Sequence, residues 1–218
     1  MAALNVKEFN IATRIHGRVL VREAAGAVAV LAGFHGYMEN AEIQMARLEA
    51  LSVSDRMTLV SVQGLNRFYR GRGEDVVASW MTRQDRDVMI EDNIEYCDRA
   101  IDLAAPPEIP LFTAGLSQGV AMAFRAAMRG RRRAIGVVAV GGDVPPELLQ
   151  DATLTFPAVL LARGESDAWY TSAKLEADAS ALRARHTTVE TVVYPGGHEW
   201  TADVSAAASR FLSRYISD

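Results

Sequence analysis

Six short apolar runs, each stopped by glycine, constrain this chain more than any other feature. Ala27–Ala32 ends at Gly33, Leu59–Val62 at Gln63-Gly64, and Leu111–Ala114 at Gly115. Ile135–Val140 ends at Gly141-Gly142, Ala158–Ala162 at Arg163-Gly164, and Val189–Tyr194 at Pro195-Gly196-Gly197. Runs this short and this rich in Val and Leu read as strands covered on both faces. Helical stretches lie between them: Ala41–Leu51, Asp85–Ala105, Gln118–Gly130, Ser172–Arg185 and Asp203–Ile216. The second carries the stripe Ile90, Ile94, Cys97, Ile101, Ala104, which is one face of a helix. Alternation of this kind predicts an α/β fold: a mostly parallel twisted sheet with helices on both faces. Nothing in 1–218 reads as a linker or repeat, so a single domain is expected. No long insertion follows Ile135–Val140, so no large cap domain is expected. Val6–Thr13 and Ile15–Val21 are predicted to pair as an antiparallel hairpin at the sheet edge.

Composition closes off several functions. Half of the 218 residues are hydrophobic and 23% are charged, enough for a sizeable core. Net charge is −4, which argues against a nucleic-acid partner. The one basic run, Arg129 and Arg131–Arg133, reads as the solvated end of a helix. Cys97 is the only cysteine, which excludes an intramolecular disulfide, and its place on the helical stripe makes it a core thiol. The start of the chain, from Met1 to Phe9, lacks the pattern of a secretory leader, and no window is long and apolar enough to span a membrane. A cytoplasmic chain is the expectation.

One connection stands out. The segment 64–84 joins a predicted strand to a predicted helix and holds Phe68, Tyr69, Trp80 and Met81. A loop of about 20 residues is uncommon in a compact domain unless it has a function. It is expected to lie on the substrate side.

Gly115-Leu116-Ser117-Gln118-Gly119 is the main chemical signal. It leaves a predicted strand and opens a predicted helix, the context of a nucleophile elbow. A sharp turn pushes the Ser117 hydroxyl clear of the sheet, and flanking glycines let strand and helix pass closely. Such a serine needs a base, and the base needs an orienting acid. His198 follows the last predicted strand in Pro195-Gly196-Gly197-His198, where a loop can swing an imidazole over the sheet end. Asp167 follows the preceding strand in Gly164-Glu165-Ser166-Asp167 and is the first acid candidate; Asp143, after Gly141-Gly142, is the second. The resulting order is Ser, Asp, His. An oxyanion hole needs two donors: the Gln118 N–H, and one from the turn Phe34-His35-Gly36-Tyr37. His35 reads as a hydrogen-bonded support of that turn that also borders the pocket.

These pieces resemble the α/β-hydrolase superfamily, and within it the small phospholipase/carboxylesterase branch that includes acyl-protein thioesterases. The matching motifs are His35-Gly36, Gly115–Gly119, Gly164–Asp167 and Gly197-His198, in the expected order across most of the chain. The resemblance implies a catalytic triad of Ser117, Asp167 and His198, with the oxyanion held by the N–H groups of Tyr37 and Gln118. Three departures fall on pocket-forming loops. Val120 stands where the branch often has a second glycine, Met38-Glu39 where it often has Gly-Asp, and Ala168-Trp169-Tyr170 follows the acid. Trp80, Trp169 and Trp200 all sit on loops this fold directs to the active face, so an aromatic-lined pocket including Met81 is expected. The implied reaction is hydrolysis of a small ester or thioester through an acyl-enzyme. No cofactor and no metal are expected; the expected partner is a small-molecule ester or thioester, with a homodimer left open. The alternatives are a thioesterase, lactonase or amidase on the same triad, or a ligand-binding protein that kept the fold without catalysis.

Overall fold

A computed structural model describes residues 6–216. The strands are β1 (Arg18–Arg22), β2 (Ala29–Phe34), β3 (Met57–Gln63), β4 (Asn66–Tyr69), β5 (Val76–Ser79), β6 (Leu111–Leu116), β7 (Ala134–Val140), β8 (Ala158–Gly164) and β9 (Val189–Tyr194). The helices are α1 (Ala41–Glu49), α2 (Arg86–Ala104), α3 (Gln118–Arg129), α4 (Pro146–Gln150), α5 (Ser172–Ala184) and α6 (Ala202–Ser213).

Seven strands form one sheet in the order β1-β3-β2-β6-β7-β8-β9. Every neighbouring pair is parallel except β1 with β3. The strands β2, β3 and β6 are buried throughout, which is why they read as unbroken apolar runs rather than alternating ones. One core layer packs α2, α3 and α5 on the sheet through residues such as Ile101, Phe124 and Leu182. The other packs α1 and α6 on the opposite face through Leu48, Val204 and Phe211. The chain runs outward from β2 to β3, then crosses back to β6 on the other side of β2. The crevice at the carboxyl ends of β2 and β6 is therefore the switch point of the sheet, where ligands bind in open α/β folds.

Three expectations need correction. Val6–Gly17 carry no regular structure, so there is no hairpin. Only Arg18–Arg22 form a strand, and its partner is β3. β1 instead adds to the outer edge of β3, from Arg18 opposite Gln63 to Arg22 opposite Leu59. The connection 64–84 is not an open loop: β4 and β5 pair antiparallel within it, from Asn66 opposite Ser79 to Tyr69 opposite Val76. β9, read as covered on both faces, is half-buried because it is the sheet edge.

Smaller readings fare differently. Cys97 is fully buried on α2, and burial pushes its thiol well above the ordinary range. The basic run is tied down: Arg129 pairs with Glu91, Arg131 with Asp102, and Arg132 donates to the carbonyls of Ala105 and Ile109. Among the described residues no helix is long and apolar enough to cross a membrane. Met1–Asn5, on which part of the leader reading rests, lies outside them.

Candidate active site

The site begins where β6 stops. Ser117 stands between β6 and α3 at φ 55, ψ −119, a backbone conformation sparsely populated by L-residues. Two glycines permit it. A Cβ on Gly115 would sit 2.3 Å from the Gly119 carbonyl oxygen, and one on Gly119 would sit 2.0 Å from that of Phe34. Strand and helix touch backbone to backbone here, so no other residue fits. The Ser117 N–H donates to the Val140 carbonyl at 2.9 Å, and the Ser117 carbonyl accepts from the Val120 N–H at 3.0 Å. Both bonds hold the turn and leave the side chain half-buried, facing a cavity of about 820 Å³.

His198 faces the same cavity from the loop after β9. Its Nδ1 lies 2.8 Å from Asp167 Oδ2. The other Asp167 oxygen, Oδ1, accepts from the N–H groups of Trp169 and Tyr170 at 2.8 and 2.9 Å. Burial pushes this carboxyl up, but the Tyr170 N–H, the His198 ring and the Trp169 N–H outweigh it. Asp167 is held below the usual carboxylate range and stays ionised near neutral pH. An ionised acceptor assigns a proton to Nδ1, so in the neutral ring it is Nε2 that carries the lone pair. Among the described residues, Ser117 Oγ makes no hydrogen bond to that ring; such contacts are often long without substrate and tighten when it binds. The second acid candidate goes elsewhere. Asp143 pairs with Lys174 Nζ at 3.1 Å.

The turn after β2 is wired in place. His35 is fully buried; its Nδ1 lies 2.7 Å from the Gly36 carbonyl, and its Nε2 accepts from the Gly64 N–H at 2.9 Å. A carbonyl demands a donor and an N–H demands an acceptor, so these two bonds define one neutral tautomer. Burial also lowers the His35 pKa, in keeping with a neutral strut. Glu39 accepts from Gly36 N–H at 2.7 Å and holds Arg47 with both oxygens at 2.6 Å. The Met38 N–H goes to Ala78 and the Glu39 N–H to Gly36. The Tyr37 N–H is not used in these bonds, nor is the Gln118 N–H at the start of α3. The Gln118 side chain does something composition could not suggest. Its Oε1 accepts from the Trp80 N–H at 3.0 Å and its Nε2 donates to the Met81 carbonyl at 2.9 Å. It straps the end of β5 to the elbow.

The aromatic pocket is much smaller than the sequence suggests. Trp80 is fully buried, donates from Nε1 to the His35 carbonyl at 2.9 Å, and packs on Phe34. Trp200 turns to the other core layer and donates to Ser205 Oγ. Met81 packs against the first core layer, and His35 lies behind the turn it supports. None of these four lines the cavity. Trp169 does, 76% exposed at the rim, as does Tyr37, which leans on Phe68 of β4. An indole can cap a pocket or fill a core, and its place on a loop does not say which. The wall instead includes Ala121, Pro145, Tyr170, Lys174 and Arg125. Gln118, Ala121 and Arg125 share one helical face by spacing, the only hint of this in the sequence.

The sequence matches no family model and no curated protein. Solved structures match over most of the chain. Zea mays acyl-protein thioesterase 2 superposes with a TM-score of 0.72 at 17% identity, covering 93% of this chain and 100% of that one. Bacillus cereus carboxylesterase gives 0.71 at 20%, covering 91% and 94%. Esterase PE8 gives 0.70 at 20%, covering 93% and 100%. The fold is that of the small α/β-hydrolases. Ser117, Asp167 and His198 stand on the connections after β6, β8 and β9, all at the carboxyl ends of parallel strands.

Proposed function

We propose that this α/β-hydrolase is a serine ester hydrolase acting on a small ester or thioester. The observation that carries the reading is Ser117 held at positive φ on a cavity shared with a histidine whose Nδ1 is taken by a buried carboxylate. His198 Nε2 accepts the Ser117 proton as Oγ attacks the carbonyl carbon. The amides of Tyr37 and Gln118, with the positive end of α3, stabilise the oxyanion. His198 then protonates the departing alkoxide or thiolate, and the acyl group stays on Ser117. Water attacks the acyl carbon while giving a proton to His198, and His198 passes that proton to Ser117 Oγ as the acyl bond breaks and the acid leaves. Asp167 remains ionised throughout, orienting the ring and balancing its charge. The first step needs the Nε2 lone pair, which the Asp167 bond to Nδ1 aims at the cavity.

The named esterases and thioesterases above agree with this reading, and the ester-hydrolysing chemistry is the part they support best. The test is intact mass after treatment with a fluorophosphonate. A single adduct on the wild type, absent from Ser117→Ala, is the expected result. A folded wild type that takes no adduct would overturn the assignment of Ser117 as nucleophile.

A further inference from the structure

The cavity that holds Ser117 runs on along α3 and ends at a charge. Gln118, Ala121 and Arg125 form its floor, one helical face in succession. Val144 and Leu149 stand on the facing wall. Arg125 closes the far end with its side chain only 1% exposed. A guanidinium so buried requires full pairing, and here the pairing is incomplete. Its Nε and Nη2 converge on a single oxygen, Glu147 Oε1, at 2.8 and 2.6 Å. This is not the two-oxygen fork that satisfies a guanidinium best. For Nη1 the acceptor among the described residues is Met81 Sδ at 3.6 Å, and a thioether is a weak acceptor. Arg86, also on the cavity wall, reaches the other Glu147 oxygen at 3.8 Å. Arg86 also meets Asp87 Oδ1 at 3.9 Å, so Arg125 is the buried cation left with one carboxylate oxygen for two of its donors and a thioether for the third. The other carboxylates on the wall are bonded elsewhere and do not reach Arg125. Lys174 and Asp143 pair with each other. Asp178 accepts from the Val144 N–H and the Tyr170 hydroxyl.

We propose that this end of the cavity binds a carboxylate on the substrate, so that the preferred esters are half-esters of dicarboxylic acids read by Arg125. The inference rests on Ser117 being the nucleophile. Arg125 lies eight residues beyond Ser117, about 12 Å of helical rise, and its side chain leans back toward the helix start. A spacer of a few methylenes spans what remains. The incoming carboxylate would take the donor that Met81 Sδ now holds weakly.

The test compares the para-nitrophenyl half-ester of adipic acid with its neutral methyl diester. In the wild type the free acid should exceed the methyl ester in kcat/KM by about tenfold, the worth of one charge-assisted hydrogen bond. Arg125→Gln should bring that ratio near one. Glu147→Gln removes the competing carboxylate while keeping an acceptor, so the ratio should rise several-fold; a purely structural ion pair would not raise it. Should Arg125→Gln fail to fold, the Glu147→Gln ratio decides alone. A wild-type ratio near one, with both esters turned over and Ser117 labelled, overturns the carboxylate preference and leaves the esterase reading standing. A ratio unmoved in Glu147→Gln also overturns it. No turnover of either ester, with no adduct, overturns both.

Discussion

The two sides of the Ser117 cavity are built differently. On the β2 side, the turn Phe34–Asn40 is locked by His35, Glu39, Arg47, Trp80 and the Gln118 side chain, with His35 and Trp80 fully buried and the other three half-buried. On the β8–β9 side, His198 is half-buried and the bond that orients it goes to Asp167, with an exposed tryptophan beside the acid. The difference follows from what each side supplies. The first presents backbone amides, which cannot rotate into place and must be positioned by everything packed behind them. The second presents a side chain on two rotatable bonds, for which one saturated carboxylate is enough. Stability should therefore reside on the β2 side and proton chemistry on the other.

Substitutions can break that division. Asp167→Asn should cost the most activity, about 10³–10⁴-fold in kcat, because the amide favours the wrong tautomer of His198. Its effect on the unfolding free energy should be the smaller one. Ester turnover and chemical denaturation on the same variant check this, and a protein that merely unfolds would erase the contrast. Trp80→Ala should act in the opposite sense. It empties a fully buried site and orphans the His35 carbonyl, so a loss of about 3–5 kcal/mol is expected. Acyl-chain preference should not change, since Trp80 does not line the cavity. A changed chain-length profile would return it to the pocket.

The smallest effect should come from Glu39→Gln, and it carries a pH signature. Burial raises the Glu39 carboxyl, but Arg47 and the Gly36 N–H outweigh it and hold it low. A folded value below the unfolded one, near 4.5, means that this carboxylate stabilises the fold above about pH 4.5. That contribution is lost as pH falls through the folded value. Glu39→Gln should lower the unfolding free energy by about 2 kcal/mol at neutral pH, and the gap should close on acidification. Denaturant titrations across the acid range measure it. A gap independent of pH would assign the loss to packing alone.

Much of the site could be read before any tertiary contact was known. The elbow is local: the clash that forces glycine at 115 and 119 follows from a strand turning into a helix within five residues. Strand–helix alternation carried the parallel sheet, and parallel topology brings every strand's carboxyl end to one side, so Ser117, Asp167 and His198 converge in any such fold. The choice between Asp167 and Asp143 was not local. Both follow a strand, but β8 lies next to β9, and only the acid after β8 reaches the ring while the other meets Lys174.

What an aromatic or charged side chain faces was decided by packing alone. Trp80, Trp169 and Trp200 have similar settings in the sequence, yet one fills a core, one rims the cavity and one donates to Ser205 of α6. The partner of β1 and the hairpin inside 64–84 also depend on which edges and surfaces the sheet leaves open. Arg125 shows the same limit. Its place on α3 is written in the spacing, but its burial at the end of the Ser117 cavity needs α4 and α2 to close around it. Periodicity and turn sterics act between neighbours in the chain and are legible there; orientation depends on elements distant in sequence and exists only once they pack.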